Sequence, residues 1–197
     1  MQVSMNLEEL AVEVHQISID HGWWEKYNHH KLQNYVAGYR PLDPCPDILA
    51  AKLALIHAEI SESFDEWDAG RYNAYYNAEE PSKPEGLVVE LADVLIRTLD
   101  FMHHLGFVVR PPSETVTMCR WPYLKALGKM HALVSLAVEC LRRNDMYGTE
   151  ENLDGLVCFL CEVAAGYLAD RTEFEDAIRK KVDYNKTREI RHGGKAL

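Results

Sequence analysis

Apolar residues recur at three- and four-residue steps along most of the chain, which is the spacing of amphipathic helices. No stretch alternates β-branched and polar residues with the two-residue period of a strand. The motif Ser82-Lys83-Pro84-Glu85 indicates a helix start, because proline is favoured in the first helical turn. The pattern predicts an all-α helical bundle, with helices over residues 5–20, 47–69, 84–106, 122–144, 150–169 and 172–189.

Four carboxylates interrupt two of these apolar runs. Glu59 and Glu62 lie in AKLALIHAEISESFDEW, and Glu90 and Asp93 lie in GLVVELADVLIRTLDF. A three-residue step rotates a side chain by only about 60° from its neighbour, so each pair projects from one stripe of its helix. That stripe is otherwise apolar and should face a core, where unpaired carboxylates are strongly unfavourable.

A divalent cation held between the two helices would neutralise these carboxylates. A set of carboxylate oxygens suits Mg²⁺, or Mn²⁺, better than Zn²⁺ or a soft metal. The alternative is a solvated face on which the acids pair with residues one turn away. Few polar positions remain to complete such a face, because the flanking residues are Ile60, Leu91, Val94 and Leu95.

A weaker signal relates the two halves of the chain. A shift of 74 residues lays the helix of 125–141 on that of 51–67 and pairs His57 with His131, and a shift of 69 residues lays 155–168 on 86–99. In this alignment three of the four acids become apolar, at Leu133, Leu136 and Phe159, and Glu162 takes the place of Asp93.

We interpret the chain as a single domain built from two hairpin units. The metal-binding half spans 1–110, and a degenerate half with a basic C-terminal tail spans 111–197. The alternative is that two amphipathic hairpins resemble each other through shared periodicity alone.

Composition narrows the choice of partner and compartment. The net charge of −10 argues against nucleic acid or an anionic membrane as the main partner. No apolar run approaches the roughly 18 residues that a spanning helix needs. Five cysteines, an odd number, together with the lack of an N-terminal apolar signal segment, indicate a reducing environment, so we expect a soluble cytoplasmic protein. The pair Cys158-x-x-Cys161 lies in an apolar helical run and is interpreted as buried structural cysteine.

The order E-x-x-E, loop, E-x-x-D resembles the MazG-like, all-α nucleoside triphosphate pyrophosphohydrolases over residues 47–106. The tail Lys181-x-x-x-Asn185-x-x-Arg188, followed by Arg191-His192-Gly193-Gly194-Lys195, is similar to the ends of many such proteins. The resemblance implies Mg²⁺-dependent cleavage between the α- and β-phosphates of a (deoxy)nucleoside triphosphate, giving a monophosphate and pyrophosphate. It also implies that the metal ligands are Glu59, Glu62, Glu90 and Asp93.

Further roles follow for residues around these ligands. A carboxylate next to the metal could take a proton from the attacking water, and Glu62 or Glu66 is the candidate. On a helix, Lys181, Asn185 and Arg188 share one side and offer two cations and an amide to phosphate oxygens. The alternative for these three is a solvated basic helix end.

Two residue groups are secondary candidates. Lys52, seven residues before Glu59, is a lesser candidate for a phosphate contact. Arg97 and Asp100 continue the Asp93 stripe and are expected to pair with each other or with the substrate.

For the nucleobase, the segment HGWWEKYNHHKLQNY (21–35) offers aromatic faces for stacking and polar edges for discrimination. The candidates are Trp24, His29, His30 and Asn34, and Trp67 is a candidate to close the pocket. The alternative for each is a packing or surface role.

The resemblance includes family members built from duplicated units, in which one chain does the packing that two chains do elsewhere. Both a single chain and a homodimer therefore stay open. Two other functions are alternatives: a non-catalytic nucleotide-binding module on the same bundle, and a carboxylate-bridged di-iron or di-manganese bundle. The latter typically uses Glu-x-x-His, and neither Glu59 nor Glu90 has a histidine three residues on.

Overall fold

The computed structural model describes residues 5–28, 46–110, 118–167 and 171–190. This part of the chain is predominantly helical, so the predicted all-α fold is confirmed. A helical turn over residues 25–28 follows the first helix. The longer helices are α1 (Leu7–Asp20), α2 (Pro46–Asp68), α3 (Leu87–His104), α4 (Tyr123–Arg142), α5 (Met146–Tyr167) and α6 (Arg171–Thr187).

The start of α3 differs from the prediction. Two short strands, β1 (Tyr75–Tyr76) and β2 (Pro84–Glu85), pair antiparallel in the loop between α2 and α3. Pro84 therefore lies in a strand opposite Tyr76, and the helix begins after Gly86. The prediction of a helix start at Pro84 is wrong, because the strand pairing takes up the residues that the proline pattern assigned to the first turn.

Helix α3 is the centre of the molecule. It packs against α1, α2, α5 and α6, and every residue from Leu87 to Met102 except Arg97 is buried. The acids of this helix therefore lie in the interior rather than on a solvated face. In the described part of the chain, no helix is both long enough and apolar enough to cross a membrane.

The two helical pairs, α2 with α3 and α4 with α5, meet along α2 and α4. The Nδ1 atoms of His57 and His131 lie 2.7 Å apart across this contact. Further along, the Tyr123 hydroxyl donates to Ser63 Oγ over 2.7 Å, and Ser63 in turn donates to the Ile60 carbonyl over 2.6 Å. Polar contacts thus fix the register of two largely apolar surfaces.

Candidate functional site

Three buried carboxylates converge between α2 and α3. Glu59 comes from α2, Glu90 and Asp93 lie three residues apart on α3, and one oxygen from each lies within 4.8 Å of the others. None of the three residues is more than 7% exposed. Carboxylate oxygens are the ligands that hard divalent cations prefer. This acidic cluster could therefore hold a metal ion.

Two cations of the protein contact the acidic cluster. Lys181 Nζ lies 2.6 Å from Asp93 Oδ2, and Arg97 Nε donates to Glu59 Oε1 over 2.6 Å. Lys181 is itself buried, with 3% of its surface exposed. The cluster thus has fewer cations than carboxylates, and Glu90 is the acid with no cation in direct contact among the described residues.

Burial dominates the protonation of the cluster. It raises the pKa of Glu90 to about 8, and the negative charge of Asp93 acts in the same direction. Burial also raises the pKa of Glu59, although the Arg97 guanidinium opposes this. Desolvation acts against the charge of Lys181, yet Asp93 and Glu90 raise its pKa above the ordinary lysine value. The ammonium of Lys181 is therefore retained inside the cluster.

The two candidates for the general base lie in different surroundings. Glu62 is exposed, and its charge contributes to the raised pKa values of Glu59 and Glu90. Glu66 accepts two hydrogen bonds from Arg71, from Nε at 2.8 Å and from Nη2 at 2.9 Å. Glu66 thus ties the end of α2 to the following loop, whereas Glu62 is not one of the three acids whose oxygens lie close together. A catalytic role for either residue stays a prediction.

A pocket of about 770 Å³, including the space at its open mouth, adjoins the acidic cluster. Asp93 and Arg97 are part of its lining. Three residues predicted to contact phosphate lie in the same lining, namely Lys52, Asn185 and Arg188. The structure thus brings residues of α2, α3 and α6 together around one cavity.

Two adjacent tryptophans take different positions. Trp24 is fully buried, donates from Nε1 to Asp100 Oδ1 over 2.8 Å, and stacks on His104 with ring centroids 3.5 Å apart. A base could not stack on Trp24 in this arrangement, because both the ring and its N–H are used inside the protein. Trp23 lines the pocket instead. The composition of the segment could not predict which of the two tryptophans lines the pocket, because that depends on the different directions in which their side chains point.

Lys52 connects the tryptophan pair to the pocket. Its Nζ lies 4.3 Å from the centroid of Trp24 and 5.6 Å from that of Trp23, a cation–π arrangement. Burial lowers the pKa of Lys52 to about 8, against the opposing charge of Asp100. Part of the Lys52 population is therefore uncharged at mildly alkaline pH.

Asp100 is held by the first helix and the segment that follows it. Its carboxylate accepts from Ser18 Oγ at 2.8 Å and from Trp24 Nε1, and His15 Nδ1 lies 2.7 Å away. Arg97 pairs with Glu59 on α2 instead. The expected pairing of Arg97 with Asp100 is therefore wrong. Asp100 anchors α1 to α3 at the wall of the pocket, a role that the sequence did not indicate.

The remaining candidates lie away from the pocket or outside the described residues. Trp67 stacks on Tyr123 with ring centroids 5.2 Å apart and packs against the core. It is not among the described residues that line the pocket. The other candidates fall outside the described part of the chain, namely His29, His30, Asn34 and the tail from Arg191 to Lys195.

The fold and the site define an all-α protein with an acidic cluster beside a cavity lined by cations. Comparison of the chain with models of protein families, with curated proteins and with solved structures found no match.

Proposed function

We propose that the protein is a Mg²⁺-dependent nucleoside triphosphate pyrophosphohydrolase of the MazG-like type. The reaction would cleave between the α- and β-phosphates and release a nucleoside monophosphate and pyrophosphate. One observation carries this proposal: the acidic cluster adjoins a pocket lined by Lys52, Arg97 and Arg188. Acids alone would repel a polyphosphate, whereas acids that hold a metal beside cationic side chains would bind one.

The donor set of the cluster fits the proposed metal. Glu59, Glu90 and Asp93 offer buried carboxylate oxygens close together, which suits Mg²⁺, with Mn²⁺ as the alternative. A bound divalent ion would neutralise charge on phosphate oxygens and lower the pKa of a coordinated water. Glu62, an exposed acid whose charge acts on Glu59 and Glu90, would add a ligand or take a proton from that water. No contact among the described residues assigns either role to Glu66.

The pocket residues would hold the substrate. Lys52 and Arg188 bring positive charge to phosphate oxygens, and the Asn185 amide can donate to them. Trp23 offers an aromatic surface for the base. Asp100, fixed by its contacts to α1, keeps that wall of the pocket in place.

The test is product analysis with a panel of nucleoside and deoxynucleoside triphosphates in the presence of Mg²⁺. We expect release of pyrophosphate together with the monophosphate. Asp93→Asn should lower the rate by about 100-fold or more, because it removes a charged ligand from the metal. Asp65→Asn is the matched control: Asp65 lies on the same helix as Glu59 but outside the acidic cluster, so its substitution should leave the rate unchanged.

Two outcomes would contradict the proposal in different ways. Pyrophosphate release that survives Asp93→Asn would show that the metal assignment is wrong. Failure of every triphosphate in the panel to react would reject the hydrolase itself.

A non-catalytic nucleotide-binding module is the second candidate function. Lys181 and Arg97 already contact two of the three acids, so the cluster is partly neutralised without a metal. Calorimetry that shows nucleotide binding, with no turnover over hours, would favour this function over hydrolysis.

We also infer that the two hairpins arose by duplication. His57 and His131, which the 74-residue shift pairs, contact each other. When two copies of a unit pack about a two-fold axis, equivalent residues contact each other on that axis, as these two histidines do. In the second hairpin Phe159 is buried at the place that corresponds to Glu90. An experimental structure in which residues 122–168 fail to superpose on 48–100 would contradict the inference.

A further inference from the structure

The ammonium group of Lys181 lies inside the acidic cluster. Its Nζ is 2.6 Å from Asp93 Oδ2, and the charges of Glu90 and Glu59 also act on it. With 3% of its surface exposed, the lysine has little contact with solvent. A buried ammonium is costly unless it is paired, so its presence here indicates that the cluster attracts a cation strongly.

We propose that Lys181 is a built-in counter-ion, which occupies the cation site of the metal-free protein and leaves it when a divalent ion binds. The proposal rests on the proposed function, because it requires the acidic cluster to bind a divalent cation. The ammonium and the metal would both lie against the carboxylate of Asp93, and two cations so close together repel each other. One of them has to move.

Lys181 is better suited to move than Arg97. A lysine carries its charge on a flexible four-carbon stem, whereas the planar guanidinium of Arg97 is directed at Glu59 by its Nε hydrogen bond. Exchange at Lys181 therefore requires only rotation of a side chain and leaves the contact between α2 and α3 in place.

The direction of the movement follows from the neighbours of Lys181 on α6. Asn185, one turn further along, lines the pocket, and so does Arg188. The Tyr184 ring lies 5.9 Å from Lys181 Nζ. An ammonium released from Asp93 would move toward Asn185 and Arg188 at the α6 side of the pocket. Metal binding would thus add one positive charge to the pocket before a polyphosphate arrives.

The test is the affinity for Mn²⁺ alone, measured by calorimetry and by Mn²⁺ electron paramagnetic resonance without nucleotide. Lys181→Met keeps the apolar stem but removes the competing charge, so Mn²⁺ should bind about tenfold tighter or more. Lys180→Met is the matched control, because Lys180 is the exposed neighbour on the same helix. It changes the net charge equally and should stay within about twofold of the wild type.

Each result has a distinct meaning. Unchanged or weaker Mn²⁺ binding by a folded Lys181→Met variant would overturn the exchange of Lys181. Absence of Mn²⁺ binding to the wild-type protein would instead refute the metal site, and the proposed function with it.

A second measurement uses only the wild-type protein, in case the variant does not fold. Lysine acylation followed by mass spectrometry should show Lys181 protected without metal and labelled at least about threefold more with saturating Mn²⁺. Lys180 is the internal reference. Equal protection of Lys181 in both states would overturn the proposal.

Discussion

At the scale of single residues, the contact between His57 and His131 requires one ring to donate and the other to accept. Two fully protonated rings would place N–H against N–H across a 2.7 Å gap. Burial lowers the pKa of both histidines, and the charge of His131 adds to the effect on His57. In the folded protein, at most one of the two histidines is therefore protonated.

The pair should make the protein sensitive to acid. An unfolded histidine has a pKa of about 6.5, so below that pH the unfolded chain takes up protons that the folded pair resists. The stabilisation is present above about pH 6.5 and is lost as the pH falls through the lowered pKa values of the folded state. The urea midpoint should therefore decrease on acidification.

The double variant His57→Gln with His131→Gln isolates this contribution. Two amides can still form one hydrogen bond but do not titrate, so the decrease in the urea midpoint between about pH 7.5 and pH 5.5 should be smaller. Identical pH profiles for the wild type and the double variant would contradict the assignment. Other titrating groups remain in both proteins, so only the difference between the profiles counts.

The sequence predicted some of these residues better than others. Of the four acids predicted from a three-residue step on an apolar stripe, Glu62 is exposed, whereas the three carboxylates of the acidic cluster could be found in this way. The side chains that pair with these carboxylates could not be predicted. Arg97 was expected to pair with Asp100 or with the substrate, but its partner in the structure is Glu59, 38 positions away in sequence. Periodicity describes one helix at a time and carries no information on which helices meet.

At the scale of elements, the loop before α3 determines where Glu90 lies. The Arg71 and Tyr72 carbonyls accept hydrogen bonds from the amides of Leu87 and Val88, over 2.9 and 3.1 Å. This capping needs a sharp turn at Gly86, where φ is +117°. A Cβ at that position would lie 2.3 Å from the Asn73 carbonyl oxygen. Only glycine fits there without a shift of the backbone.

Gly86→Ala should therefore lower the free energy of unfolding by about 2 kcal/mol or more, because it combines an unfavourable φ with a backbone clash. Urea denaturation measures this change. Gly128→Ala, within α4, is the matched control. Beyond the backbone of α4 itself, no described atom lies within 4 Å of the place that an alanine methyl would take, so alanine there should raise stability by about 0.5 to 1 kcal/mol. Equal effects of the two substitutions would contradict the role of Gly86.

The existence of the helices was predictable, whereas their ends were less so. The predicted helix over 150–169 begins earlier, at Met146, where Asp145 Oδ1 accepts from the Gly148 amide over 2.9 Å. An aspartate three residues before that amide is a capping signal that the sequence does contain. The start of α3 had no such local signal, because it depends on the pairing of β1 with β2.

At the scale of the whole molecule, the buried hydrogen bond from Tyr123 to Ser63 joins the two helical pairs. Ser63→Ala would leave the Tyr123 hydroxyl without its acceptor, at a cost of about 1 to 3 kcal/mol. Tyr123→Phe should cost less, about 1 kcal/mol, because Ser63 keeps its bond to the Ile60 carbonyl. Thermal and urea unfolding of both variants would check the order. A larger loss for Tyr123→Phe would show that the hydroxyl has another partner.

The arrangement of the helices around α3 was beyond the sequence pattern. Amphipathic spacing predicted the fold class and the acidic cluster, because both depend on local repeats. The docking of α1 and α6 depends instead on contacts between distant residues. Glu13 pairs with Arg179 and Lys186, and His21 Nε2 lies 2.9 Å from the Arg188 carbonyl oxygen. These contacts bring the two ends of the described chain to the same pocket.

That arrangement has a consequence for biosynthesis. A ribosome releases the chain from its N-terminus, so α1, α2 and α3 emerge long before α6. Until α6 has been made and has docked, the nascent chain contains the acids of α2 and α3 but lacks Lys181, Asn185 and Arg188. The α6 side of the pocket is therefore added after the sides that α1, α2 and α3 supply. The order of translation keeps the site incomplete until α6 has been synthesised and has docked.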